Sequence, residues 1–206
     1  MTKDSLIANL IHQGVLKTPS IIKAFQTVDR ADFVLPEYRD AAYEDHPLPI
    51  GFGQTISQPL TVALMLEWLS PRLGEKILDI GCGSGWTTAL LASIVGKKGR
   101  VIGIERILEL AEFAKINLSK YSTLYYSTAI ECRDGTKGHD KEALYDRILA
   151  SASAGEIPKE WKEQLKVGGR IVAPVRDSII VIEKLSWDKY HTSEHWGFAF
   201  VPLVKD

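Results

Sequence analysis

Lys76 to Trp86 reads KILDIGCGSGW: an apolar run that breaks into glycines at 81, 83 and 85. The apolar character resumes at once over Thr87–Val95. A buried strand that hands over to a helix through a glycine-rich bend lets a nucleoside-bearing ligand touch bare backbone. The stretch therefore marks a parallel α/β sheet with a cofactor loop at its carboxyl edge.

The chain on either side repeats that pattern. Downstream of the strand Ile77–Ile80 and the helix Thr87–Val95, the strand Arg100–Ile104 leads to a helix over Ile107–Leu118, with Leu110, Ala111, Ala114 and Leu118 on one face. Further strands are expected over Ala129–Arg133, Asp146–Ala150 and Arg170–Pro174, with a helix over Lys159–Leu165. Ser178–Leu185 and Phe198–Leu203 then read as two consecutive strands, an antiparallel hairpin at one edge. The expected fold is Rossmann-like: doubly wound, mostly parallel, about seven strands.

Upstream, Lys3–Gln13 has helical spacing, and Thr18 precedes Pro19 as the cap of a second helix. From Arg30 to Gln54, prolines 36, 47 and 49 and glycines 51 and 53 interrupt any long element. An irregular arm of that length in a compact domain is usually functional. A helix follows over Pro59–Leu69. The whole reads as one domain, in which residues 1–70 are helices and a covering arm and 71–206 the sheet core.

Composition narrows the function. The 206 residues are 45% hydrophobic and 25% charged, with a formal net charge of −1, so no general attraction for nucleic acid is expected. No segment approaches the roughly 18 apolar residues of a membrane span, and the start MTKDSLIANL has no signal-like core. A cytoplasmic protein is expected. Cys82 and Cys132 support neither a disulfide framework nor a zinc ribbon and read as small buried side chains. His191 and His195 have metal-pair spacing only on a helix, and no third ligand stands nearby, so no metal is expected.

The glycine loop lacks the Gly-Lys-Ser/Thr of a phosphate loop, and its G-x-G-x-G spacing departs from the dinucleotide pattern G-x-G-x-x-G, which leaves NAD as the weaker reading. Glu105 ends the second strand, where a carboxylate accepts from ribose hydroxyls. Asp134-Gly135 follows the third strand, where an acid meets an adenine amino group and glycine admits the ring. Together the three loops favour S-adenosylmethionine.

At this point the chain resembles the protein-L-isoaspartate (D-aspartate) O-methyltransferases. The likeness runs from about Thr18 to Leu203. It is carried by PLPIGFGQTISQP at 47–59, LDIGCGSGW, VIGIER at 101–106, the DG of CRDGTKG, QLKVGGRIVAPV and the closing FVPL. The resemblance implies methyl transfer from S-adenosylmethionine to the α-carboxylate of L-isoaspartyl residues in damaged proteins or peptides, the first step of their repair. It implies that Ser57 occupies the active-site position, with Gln54 and Thr55 as further substrate-side residues. Ile56, Ser57, Gln58 and Pro59 would border the cofactor. So would Gly81, Cys82, Gly83, Ser84 and Gly85 of the loop, together with Glu105, Arg106, Asp134 and Gly135. A bland role competes for Ser57, because serine before Gln58-Pro59 is also placed to cap a helix. A monomer is expected for a small enzyme whose substrate is a protein chain.

The sequence departs from the family pattern at Arg133, His139, Leu144, Gly155 and Arg176. Arg133 and Arg176 add positive charge that is either solvated or turned toward an acidic substrate at the peptide-binding edge. The same features also fit a methyltransferase of this fold acting on another carboxylate, or a binding module without catalysis. The intact QTIS favours an active enzyme over the module.

Overall fold

The computed structural model describes residues 1–204. Two short helices, α1 (Lys3–His12) and α2 (Pro19–Thr27), open the chain. The arm contains two 3₁₀ turns, Arg30–Phe33 and Pro36–Ala41, and then an antiparallel hairpin of β1 (Leu48–Gly51) and β2 (Gln54–Ile56). Helix α3 (Pro59–Leu69) leads to the sheet.

The sheet elements follow in order: β3 (Lys76–Ile80), α4 (Trp86–Val95), β4 (Arg100–Glu105), α5 (Leu108–Ser119), α6 (Ser122–Tyr125), β5 (Thr128–Cys132), β6 (Tyr145–Ala150), α7 (Lys159–Glu163), β7 (Leu165–Val175), β8 (Ser178–Lys184) and β9 (Tyr190–Trp196). The spatial order is β5-β4-β3-β6-β7-β8-β9. The first five strands run parallel, and β8 and β9 join antiparallel. The doubly wound sheet with an antiparallel edge is therefore as expected. Buried apolar side chains form two cores. One, under α3, α4 and the N-terminal helices, includes Leu66, Leu90 and Phe33; the other, around α7, includes Ile148, Trp161 and Ile171.

Four local expectations fail. The last strand is Tyr190–Trp196, not Phe198–Leu203. An edge strand needs only a ladder, and the polar YHTSEHW pairs with β8 while its side chains stay mostly exposed. The apolar FAFVPL instead runs alongside the sheet, with Leu203 N donating to Ser153 O at 2.8 Å. Strand β7 also starts earlier than expected, and α7 ends at Glu163. Thr18 makes no side-chain cap; its hydroxyl donates to Glu67 Oε2 at 2.6 Å, and Glu67 Oε1 accepts from Lys17 N and Thr18 N. Cys82 is buried, but Cys132, at the end of the edge strand β5, is exposed.

Strand β3 is central, with β4 on one side and β6 on the other, and the chain winds in opposite directions from it. Ligands of open α/β sheets sit outside the carboxyl ends of strands at such a switch point. The glycine loop occupies that place. Gly85 has φ +92°, and a Cβ there would lie 3.1 Å from Ala114 Cβ, so its bare backbone lets α4 start hard against α5.

Candidate active site

Two cavities meet above the carboxyl edge. The inner cleft is walled by Gly81–Ser84, by Glu105–Ile107 and by Ile50 and Gln54–Ser57 of the arm. The outer cavity is lined by Pro47, Gln58 and Thr61 on one side and by Gly197–Val201 on the other. Thr55, Ser57, Ser151 and Val201 line both. They form the partition.

The arm is fastened over the loop by a buried cation. Arg30, 3% exposed, donates from Nη1 to Ala42 O (2.7 Å) and Glu44 O (3.3 Å), and from Nη2 to His46 O (3.0 Å) and Ser57 O (3.1 Å). Its guanidinium carbon lies 5.4 Å from the centre of the Trp86 ring, a cation–π contact with a wall of the inner cleft. Burial pulls the Arg30 pKa well below the ordinary arginine range, to about 10, against the opposing attraction of Asp45. Ile50 Cδ1 of the hairpin comes 3.1 Å from where a Cβ of Gly83 would stand, so arm and loop are in contact.

Ser57 is not a helix cap. The N-cap of α3 is Gln58, and Ser57 Oγ has no hydrogen-bond partner among the described residues. The hydroxyl is thus left for a ligand at the partition. Gln54 lines only the inner cleft, Thr55 both cavities, and Gln58 only the outer one. Pro59 is buried as the first residue of α3 and lines neither.

Glu105 is 7% exposed and lines the inner cleft. Its Oε2 accepts from Gly83 N (2.9 Å) and its Oε1 from Ile107 N (3.0 Å), which fixes the carboxylate while leaving each oxygen a further lone pair. One turn deeper, Asp79 Oδ2 accepts from the hydroxyls of Thr87 (2.7 Å) and Thr88 (2.6 Å) at the start of α4, and Oδ1 has no partner. Burial pushes the Asp79 carboxyl up to about 6, against the two threonine hydroxyls, and Glu105 nearby adds to the rise. The fixed Glu105 carboxylate in the cleft wall suits a cofactor that carries ribose hydroxyls. The residues fit S-adenosylmethionine.

Arg106 and Gly135 also line this cleft, and Gly85 does not. Asp134 follows β5, next to Gly135. Its side chain accepts from Thr136 N and Thr136 Oγ1, both at 2.8 Å, and caps the turn Gly135–Lys137; the side chain is not part of the cleft wall. These contacts are the Asx-turn chemistry of an aspartate before Gly-Thr.

Arg133 lines the inner cleft, and neither it nor Arg176 lines the outer cavity. The outer cavity holds no charged side chain among the described residues. Its polar groups are hydroxyls and one amide, and its aromatic wall is Phe198 and Phe200. Phe198 packs edge-on against Trp68 at 6.0 Å, and His195 of β9 stacks on the same indole at 4.0 Å, so the histidine pair sits on a strand with one member in an aromatic stack.

Sequence reasoning missed Ser151, Val201 and the two phenylalanines. Ser151 had a signal: it follows the strand ending at Ala150, the same carboxyl-edge position that Gly81 takes after β3. The phenylalanines were read as a strand.

Comparison with known proteins agrees with this architecture. The sequence model of the protein-L-isoaspartate(D-aspartate) O-methyltransferase family matches residues 1–206. A protein-L-isoaspartate O-methyltransferase of Methanopyrus kandleri is 44% identical over 206 residues, covering 98% of this chain and 91% of the relative. One from Staphylothermus marinus is 44% identical over 200 residues, covering 93% and 88%. A solved protein-L-isoaspartate O-methyltransferase superposes with a TM-score of 0.90 at 28% identity, over 99% of this chain and 66% of that one. A Plasmodium falciparum chain described as an enzyme of the same kind, in complex with S-adenosyl-L-homocysteine, has a TM-score of 0.89 at 25% identity, with both chains fully covered.

Proposed function

Because this chain belongs to the protein-L-isoaspartate(D-aspartate) O-methyltransferase family, we propose that its acceptor carboxylate meets the methyl donor at Ser57. The enzyme methylates the carboxylate of L-isoaspartyl residues in damaged proteins or peptides, using S-adenosylmethionine. When bound, that cofactor supplies a sulfonium methyl, which passes to a carboxylate oxygen while the sulfur keeps the bonding pair.

No proton moves in this transfer. A carboxylate has a pKa near ~4 and is already an anion at neutral pH, so no general base is required. The residues have to orient an oxygen about 3 Å from the methyl and to exclude water. Ser57 is suited to this because its hydroxyl has no hydrogen-bond partner among the described residues and the residue borders both cavities; that position carries the reading. Thr55 and Ser151 share the partition. An uncharged lining leaves the acceptor oxygen unneutralised and so fully nucleophilic.

On the cofactor side, the loop Gly81–Ser84, Glu105, Arg106 and Gly135 would hold the nucleoside, Glu105 through its remaining lone pairs toward ribose hydroxyls. Ile56 and Ser57 would close the cleft from the arm. Residues 1–70 then serve as the cover of the site and 71–206 as its floor. A monomer acting in the cytoplasm fits a protein-sized substrate and two free cysteines. None of the helices is long and apolar enough to cross a membrane among the described residues.

The test is Ser57→Ala, assayed with labelled S-adenosylmethionine and an isoaspartyl peptide, with the ordinary aspartyl peptide as control. A hydrogen bond to a charged group contributes ~1.5–3 kcal/mol. Turnover should therefore fall well over tenfold while S-adenosylhomocysteine affinity stays within a few-fold. Undiminished turnover removes Ser57 from the mechanism.

A further inference from the structure

Arg133 follows β5 directly, and its N–H donates to Glu105 O at 3.0 Å, so its backbone is pinned beside the residue that faces the inner cleft. The residue lines that cleft, and its side chain is 31% exposed. The guanidinium is gripped from behind. Nη1 contacts His139 Nδ1 and lies 3.6 Å from Glu131 Oε2, and His139 Nε2 lies 3.0 Å from Glu131 Oε1. Arginine offers no acceptor, so Nδ1 accepts from Arg133 and Nε2 carries the ring proton toward Glu131.

His139 is itself immobilised. Its side chain is 4% exposed, its N–H donates to Gln164 Oε1 at 2.7 Å, and its carbonyl accepts from the Tyr145 hydroxyl at 2.8 Å. Arg133 is thus aimed, not draped over the surface. Only Nη1 is engaged; Nε and Nη2 make no hydrogen bond to another described residue.

A fixed cation in a cleft for a cationic cofactor needs a reason. Near the sulfonium or the ammonium it would repel. The carboxylate of the cofactor's methionine tail would attract the cation, but with the ribose at Glu105 after β4 the tail belongs toward the glycine loop after β3, and Arg133 follows β5 on the opposite side. The part of the cofactor on that side is the purine, whose ring nitrogens are acceptors without protons. The wall beside Arg133 is otherwise apolar or bare backbone: Ile80, Ile104, Ile107 and Gly135 line the same cleft.

On the reading of the inner cleft as the cofactor site, we infer that Arg133 is a cofactor-recognition residue that donates a free N–H to a ring nitrogen of adenine. The role differs from attraction of an acidic substrate, and it belongs to a residue at which this chain departs from the family pattern.

The experiment is calorimetric titration of the full-length protein with S-adenosylhomocysteine, alongside the peptide KM. Arg133→Met keeps the length and removes the donors; Arg133→Ala replaces it if methionine packs badly. The expected result is affinity at least about tenfold weaker, with the isoaspartyl-peptide KM within twofold. Equal affinity in a folded variant overturns the inference, and so does a raised peptide KM with unchanged cofactor affinity. Failure of the unsubstituted protein to bind would overturn the cofactor reading instead, so the two failures are distinguishable.

Discussion

Replacing Arg30 by methionine probes how the arm is held. The side chain is buried and donates four hydrogen bonds, to the carbonyls of Ala42, Glu44, His46 and Ser57. Each bond from a charged donor contributes about 1.5–3 kcal/mol. Against them stands the cost of burying the cation, which lowers its pKa to about 10 and corresponds to about 3 kcal/mol. Removing the donor also leaves buried carbonyls unpaired. The net loss should be about 3–5 kcal/mol, in the range seen when one partner of a buried charged contact is removed. For a chain of this size that is on the order of 10 °C in Tm. Urea unfolding with unchanged m-value measures the loss, and limited proteolysis should show new cleavage between residues 42 and 57. A loss below about 1 kcal/mol, or cleavage elsewhere first, would refute the clasp.

Two further substitutions address the floor of the site. The Asp79 carboxyl is held up to about 6 by burial, so the native state disfavours its ionised form. Stability is fully present below the ordinary carboxyl range and is lost as pH rises through 6. Asp79→Asn should match the parent near pH 4 and exceed it by up to roughly 3 kcal/mol at pH 7.5, without cofactor; denaturant curves at the two pH values decide, and a pH-independent difference counts against the burial argument. Gly85→Ala combines positive φ with a Cβ 3.1 Å from Ala114, so a loss of about 2–4 kcal/mol is expected. A thermal shift under 2 °C would show that α4 and α5 part without cost.

Much of this fold was legible because burial on both faces of a parallel strand leaves a continuous apolar run. Ile77–Ile80, Arg100–Ile104 and Asp146–Ala150 announce themselves by their mostly apolar cores. The edge does not. Tyr190–Trp196 is a strand by virtue of its neighbour β8 alone, and no periodicity in YHTSEHW reveals it. The run Phe198–Leu203 is apolar because it walls a cavity, a reason that sequence pattern cannot separate from strand burial. The hairpin Leu48–Ile56 was hidden by its prolines and glycines, which also serve irregular loops. At the site, the glycine loop, Glu105 and Gly135 were readable from their place at strand ends. The turn that Asp134 makes with Thr136 and the hold of His139 on Arg133 were not legible, because the first is a local choice of the aspartate and the second depends on a residue six positions away that is fixed by Gln164 and Tyr145.

The uncharged lining of the outer cavity also governs how the enzyme lets go. Hydroxyl donors such as Ser57, Thr55 and Thr61 hold an anion with bonds of about 1.5–3 kcal/mol but a neutral carbonyl with only about 0.5–1.5. Esterification therefore loosens the grip at the instant it is complete. With no lysine or arginine among the described residues that line it, a departing ester meets no fixed charge in this cavity that would detain it.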